Sequence, residues 1–165
     1  MDYALPMSKT DQSESVTERR PLPRIIAFAN QKGGVGKTTT TITVGAALAE
    51  LEYRVLIIDL DPQGNASTGL GINSRELDST IYDVLLRDEK LENCIEPTFI
   101  KNLFVAPSNL DLAGADIELV SEMGREQRLK KAIEAIIDQY DYVLLDCPPS
   151  LGLLTVNGLT AANEI

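Results

Sequence analysis

Three short polar segments hold most of the residues that could do chemistry. They are Asn30-Gln31-Lys32-Gly33-Gly34-Val35-Gly36-Lys37-Thr38-Thr39, then Asp59-Leu60-Asp61-Pro62-Gln63-Gly64-Asn65, then Asp146-Cys147-Pro148-Pro149-Ser150. In the first, the glycines let the backbone curl until successive N–H groups point inward and form a nest for phosphate oxygens. A helix starting near Lys37 adds its positive N-terminal end. Lys37 supplies a full charge to the β- and γ-phosphates of a nucleotide, and the Thr38 hydroxyl can ligate Mg²⁺. The candidate nucleotide-binding residues are thus Gly33, Gly34, Val35, Gly36, Lys37, Thr38 and Thr39. In the second segment, one of Asp59 and Asp61 would lie near the metal and the other would hold an attacking water; spacing does not say which does which. Asp146 closes a hydrophobic stretch with a carboxylate, the pattern expected beside a nucleotide-bound metal. Thr38, Asp146 and one of Asp59 and Asp61 are the candidate metal residues.

Each segment directly follows a short, continuous apolar run, at 25–29, 55–58 and 142–145. Strands wetted on one face alternate, whereas continuous runs fit strands covered on both faces, as in parallel sheets. The spacing of Val44, Leu48 and Leu51 predicts a helix over 39–51, and that of Leu129, Ile133 and Ile136 predicts one over 125–140. Gly124 separates the latter from a shorter turn at 115–120. Asp78-Ser79-Thr80 can cap a short helix through Leu86, and 103–106 is a further strand, ended by Pro107. Strands and helices alternating with long crossovers predict an α/β fold: a mainly parallel sheet flanked by helices. Ligands bind such sheets at the carboxyl ends of the strands, so three polar loops at one edge predict one site. Residues 1–23 have no apolar period and read as a disordered tail, leaving 24–165 as the domain.

Composition excludes several classes of chemistry. The 165 residues contain no His, which removes His-based acid–base work and His metal sites. The two cysteines, Cys94 and Cys147, lie far apart and outside any metal or redox spacing. They read as small packing residues and fit a reducing cytoplasm. No apolar run reaches the ~20 residues of a transmembrane helix, and the N-terminus lacks a signal peptide's apolar core. The net charge is −10, from 25 acidic and 15 basic side chains. It falls entirely on 25–165, a balance that repels nucleic-acid backbones in general.

The first segment departs from the pattern G-x-x-x-x-G-K-[ST], because Gln31 stands where the first Gly belongs. Lys32 to Thr38 instead matches the deviant Walker A form, which adds a second lysine. With the Asp59–Asn65 motif and Asp146-Cys147-Pro148-Pro149-Ser150-Leu151-Gly152, the chain resembles the ParA/Soj-type partition ATPases of the ParA/MinD superfamily, from about Arg24 onward. The resemblance implies a P-loop NTPase-like fold with ATP and Mg²⁺ as cofactors. It implies an ATP-dependent homodimer, non-specific DNA binding, and a ParB/Spo0J-like centromere-binding partner that stimulates hydrolysis. Lys32, Lys37 and Asp61 become the catalytic residues: Lys32 reaching into the partner subunit's nucleotide, Asp61 positioning the attacking water. Asp146 would hold Mg²⁺ through a water, and Asp59 falls in the metal's outer shell. Relatives continue past Ile165 into further strands, a base-reading loop and a basic DNA-binding surface, so 24–165 is the N-terminal portion of that fold. The expected location is cytoplasmic, nucleoid-associated in a complete protein, with no membrane contact. Two alternatives are a MinD-like membrane-positioning ATPase and an inactive nucleotide-binding remnant. An electron-transfer protein sharing the deviant loop would need cluster cysteines, and Cys94 and Cys147 do not fall in that pattern.

Overall fold

A computed structural model describes residues 23–165, so the expected tail lies, but for residue 23, outside the described residues. Its sheet has five strands in the order β1-β5-β2-β4-β3: β1 (Arg24–Phe28), β2 (Val55–Asp59), β3 (Glu96–Pro97), β4 (Leu103–Ala106) and β5 (Tyr142–Asp146). All pairings are parallel except β3 with β4. Every residue of β2 and β5 is buried, which is why both read as unbroken apolar runs. Alternate side chains leave opposite faces of a strand, and the core divides accordingly. Val55, Ile57, Tyr142 and Leu144 pack with Ala49 of helix α1 (Lys37–Glu50) and Ala66 of α2 (Asn65–Gly69). Leu56, Ile58, Val143 and Leu145 pack on the other face. There they meet α3 (Ile81–Leu86), α4 (Leu112–Glu118), α5 (Arg128–Glu134) and α6 (Leu153–Ala161). Among the described residues no helix is long and apolar enough to cross a membrane.

The predicted strands and the helix ending at Leu86 are present, the latter capped by Thr80 and Asp83 in a reciprocal capping box. Two helical readings change. The segment 125–140 is not one helix: a 3₁₀ turn at Arg125–Gln127 precedes α5, and another at Ile137–Gln139 follows it. Asn157 of α6 accepts from Leu129 N (3.1 Å) and donates to the Arg125 carbonyl (2.7 Å), fixing the start of α5 at Arg128. At the other end the chain leaves the helical path to bury Tyr140, whose ring meets Phe104 edge-on, with Arg54 over it. The deepest face of α1 is Thr41, Gly45 and Ala49, while Leu51 is 69% exposed. Small residues bring this helix close to the sheet: a Cβ on Gly45 would lie 2.9 Å from Ile57 Cδ1 and 3.3 Å from Leu103 Cδ1.

That close approach makes Gly45 a packing position. Overfilling a tight core costs roughly 1–3 kcal/mol, so Gly45→Leu should lower unfolding free energy by about that amount. Urea denaturation followed by circular dichroism measures it; an unchanged midpoint would mean that α1 stands farther from β2.

Candidate phosphate-binding site

The strand order assembles the site. Because β5 lies between β1 and β2, Phe28, Asp146 and Asp59 sit side by side in register at the carboxyl ends of three adjacent strands. The glycine-rich loop leaves β1, the Asp61 loop leaves β2, and the Pro148-Pro149 loop leaves β5. All three reach one groove of about 710 Å³, lined by Gly33, Gly34, Gly36, Lys37, Thr38, Thr39, Asp61, Gln63 and Pro149, among others. This is the common edge that the three polar segments implied.

The first loop is built to receive an anion. Asn30 Oδ1 accepts the Lys32 N–H at 2.9 Å and starts the turn. Gly34 (φ 70°) and Gly36 (φ 88°) take the left-handed conformation that side chains resist. A Cβ at Gly33, Gly34 or Gly36 would meet no heavy atom within 4 Å. These glycines therefore leave open space above the backbone rather than fit a packed neighbour. The Thr40 N–H bonds back to the Gly36 carbonyl (2.8 Å), and Gly36 offers no side-chain cap. The N–H groups of Lys37, Thr38 and Thr39 precede that bond and have no partner within α1, the arrangement that binds phosphate oxygens. Lys37 is half-buried, and Lys32 and Val35 are exposed. Among the described residues neither lysine is in an ion pair. Val35 faces a smaller cleft along β1 with Asn30 and Thr40, outside the main groove.

The carboxylates differ in how they are satisfied. Asp59 and Asp146 are both fully buried. Asp59 Oδ1 accepts the Asp61 N–H (3.1 Å), and Oδ2 accepts the N–H and hydroxyl of Ser67 (2.9 and 2.7 Å). Burial pushes the Asp59 carboxyl up to about 6; the Ser67 bonds pull back, and the neighbouring Asp146 charge adds to the rise. Asp146 Oδ1 has only a long contact from Thr41 Oγ1 (3.4 Å), and Oδ2 has no partner. Burial raises the Asp146 carboxyl as well, opposed by the Thr38 hydroxyl and increased by Asp61. Asp61 is half-buried at the groove wall, its Oδ1 accepting the Gln63 N–H (2.9 Å). Both cysteines are buried, with thiols pushed up to about 12 by desolvation, so they are inert packing groups.

A divalent cation fits beside Asp146. A buried carboxylate oxygen without a donor, next to the Thr38 hydroxyl and open phosphate-binding amides, is a donor set that a cation completes. Among the described residues no three His, Cys, Asp or Glu side chains form a metal cluster. A cation held here would take its remaining ligands from phosphate and water, as Mg²⁺ does. Thr41, Ser67 and Ser108 also serve this region and were not legible as site residues.

Residues 23–165 match an AAA domain family. The chain is 53% identical over 142 residues to the sporulation initiation inhibitor protein Soj of Bacillus subtilis, covering 86% of this chain and 56% of that protein. It is 51% identical over 142 residues to the chromosome partitioning protein ParA of Myxococcus xanthus, covering 86% and 50%. A Mycobacterium smegmatis structure of cobyrinic acid a,c-diamide synthase, with bound ATP analogue and magnesium, superposes with a TM-score of 0.82 at 47% identity, covering 86% and 57%. A Borrelia burgdorferi plasmid partition protein superposes at 0.75 and 29% identity, covering 86% and 63%. The chain thus spans about half the length of the curated relatives it matches.

The buried position of Asp59 has a pH signature. Its folded-state value lies above the unfolded 3.8, so the folded protein holds this proton more tightly. Its contribution to stability is therefore greatest below about pH 4, declines as pH rises to about 6, and is flat beyond. Carboxyl ¹³C NMR on the nucleotide-free protein should give a midpoint near 6 for Asp59. A midpoint below 4 would mean that the carboxylate is better solvated than its surroundings indicate.

Proposed function

The chain belongs to this AAA domain family, and from that premise we propose that it is a ParA/Soj-type partition ATPase, which binds and hydrolyses ATP with Mg²⁺ to drive chromosome or plasmid segregation. The observation that carries the proposal is the open, left-handed glycine nest that leads into Lys37 and Thr38, together with a buried oxygen of Asp146 that has no partner. The nest amides and Lys37 take the β- and γ-phosphates. Thr38 and Asp146 would hold Mg²⁺, Asp146 through a water. Bound Mg²⁺ offsets the charge that develops on the phosphate oxygens. Asp61 stands across the groove from the loop and orients the attacking water. That water's oxygen bonds to the γ-phosphorus, the bond to the ADP oxygen breaks, and the water's proton leaves by way of Asp61. Positioning and electrostatic stabilisation of this kind supply most of the catalysis in phosphoryl transfer.

Lys32 completes the proposal. It is exposed at the mouth of the loop and has no ionic partner among the described residues, so a second nucleotide-bearing face can receive it. Closing two faces around the negative charge of ATP needs positive charge at the seam, and exclusion of water strengthens the contact beyond that of an exposed pair. The ATP-bound homodimer then binds DNA without sequence preference, and a ParB/Spo0J-like partner triggers hydrolysis. On this reading the protein works in the cytoplasm, on the nucleoid. The amidation named for the mycobacterial structure would use the same ATP site; the Soj and ParA relatives, at 53% and 51% identity, favour partition.

Lys37→Ala removes a charge-assisted contact worth roughly 1.5–3 kcal/mol, so ATP–Mg²⁺ affinity should fall tenfold or more by calorimetry. Asp61→Ala should bind ATP normally and turn it over far more slowly. Normal binding by Lys37→Ala would remove the phosphate assignment, and lost binding by Asp61→Ala would make that carboxylate structural. Lys32→Ala should keep ATP affinity within a few-fold yet lose ATP-dependent dimerisation in sedimentation. A dimer that survives the substitution would leave Lys32 a solvated loop residue.

A further inference from the structure

The loop that carries Asp61 is closed on one buried side chain. Asp59 Oδ1 takes the Asp61 N–H, and Oδ2 takes both donors of Ser67, eight residues farther on. Ser67 Oγ in turn accepts the Ser108 N–H (3.1 Å), from the loop that follows β4. Relative exposures are 0% for Asp59, 1% for Ser67 and 0% for Ser108. Between these anchors the turn is tight. Asp61 accepts from Gln63 N through its side chain and from Gly64 N through its carbonyl. Gly64 (φ 62°) is left-handed and packs where a Cβ would lie 3.5 Å from the Ser108 carbonyl. Three of the roughly four acceptor positions of a carboxylate are therefore filled by protein donors at Asp59. Its neighbour Asp146 keeps a whole oxygen unpartnered.

Two adjacent buried carboxylates with such different surroundings do different work. From these contacts we infer that Asp59, Ser67 and Ser108 are positioning residues, which fix the Asp61 backbone over the glycine loop. Asp59 then acts on the reaction through Asp61, and metal holding falls to Thr38 and Asp146. The chain of contacts runs from β2 through the start of α2 to the end of β4, so the Asp61 loop cannot shift toward or away from the phosphates without breaking a buried bond. A water-orienting carboxylate needs that constraint, because small misplacements of a reacting group cost large factors in rate. The inference rests on the role proposed above for Asp61.

The test compares Ser67→Ala, Ser67→Thr and Asp59→Asn in the intact protein. Two readouts apply: amide hydrogen exchange at Asp61 and Ser108 by NMR, and ATP turnover across a Mg²⁺ titration. Ser67→Ala should speed exchange at both amides by about tenfold or more. It should also lower kcat at least about fivefold, with ATP affinity and Mg²⁺ half-saturation within about threefold of wild type. Ser67→Thr, which keeps the hydroxyl, should restore both. Wild-type exchange and kcat in Ser67→Ala would overturn the inference. So would an Asp59→Asn protein whose Mg²⁺ half-saturation rises tenfold while the Asp61 amide stays protected, since that is the behaviour of a metal ligand. If Asp59→Asn does not fold, the Ser67 pair decides alone. Full turnover by Asp61→Ala would instead remove the proposed role of Asp61, a failure that the exchange data distinguish from failure of the relay.

Discussion

Parallel hydrogen bonding of β5 to both β1 and β2 holds Phe28, Asp146 and Asp59 at one height, and the site depends on that register. The chain passes from β1 through α1 to β2 and leaves room for one strand between them. Filling that place with β5 brings a loop from each of three strands to one groove. A slip of one residue in β5 would turn Asp146 to the opposite face, away from α1 and Thr41. The register is held by burial: Val143 and Leu145 pack on one face of the sheet, Leu144 on the other, all at 0% exposure.

The same register places two carboxylates side by side in the interior, which is costly unless each is compensated. Asp59 is compensated by the protein itself, through Asp61 and Ser67. Asp146 is compensated only in part, by Thr41 and by the nearby Thr38 and Lys37. Without ligand, the structure keeps an electrostatic deficit at Asp146 and open N–H groups at the start of α1, a few residues away. In the function proposed, cation and polyphosphate would relieve both together, so nucleotide affinity and metal affinity would be coupled by the architecture, beyond the separate contacts each ligand makes.

What was legible in the sequence follows from how local the signal is. The glycine nest, Lys37-Thr38 and the strand-end aspartates are contiguous motifs, and the continuous apolar runs of β2 and β5 announce strands covered on both faces. Helix α6 was not legible because its Leu153–Ala161 sequence is apolar or small nearly all round and so lacks an amphipathic period. The deepest line of α1 was not legible because Thr41, Gly45 and Ala49 are small, while Val44 and Leu48, half-buried beside it against the core, carry the stronger hydrophobic signal. The 125–140 periodicity is real, since Leu129, Ile133 and Ile136 are all buried. It does not report that Asn157, from a later helix, captures the backbone at its start. Ser67 and Ser108 are 41 positions apart, and nothing in either local sequence marks the bond between them.

In the function proposed, the unpartnered oxygen of Asp146 is where Mg²⁺ and nucleotide are held together. Calorimetric titration of ATP at graded Mg²⁺ concentrations, on wild type and Asp146→Asn, tests this most directly. Wild type should bind ATP more tightly as Mg²⁺ is added. Asp146→Asn should bind metal-free ATP at least as well, because a buried negative charge is gone, and should gain little from Mg²⁺. An Asp146→Asn protein whose ATP affinity rises with Mg²⁺ as steeply as wild type would show that Mg²⁺ is held elsewhere.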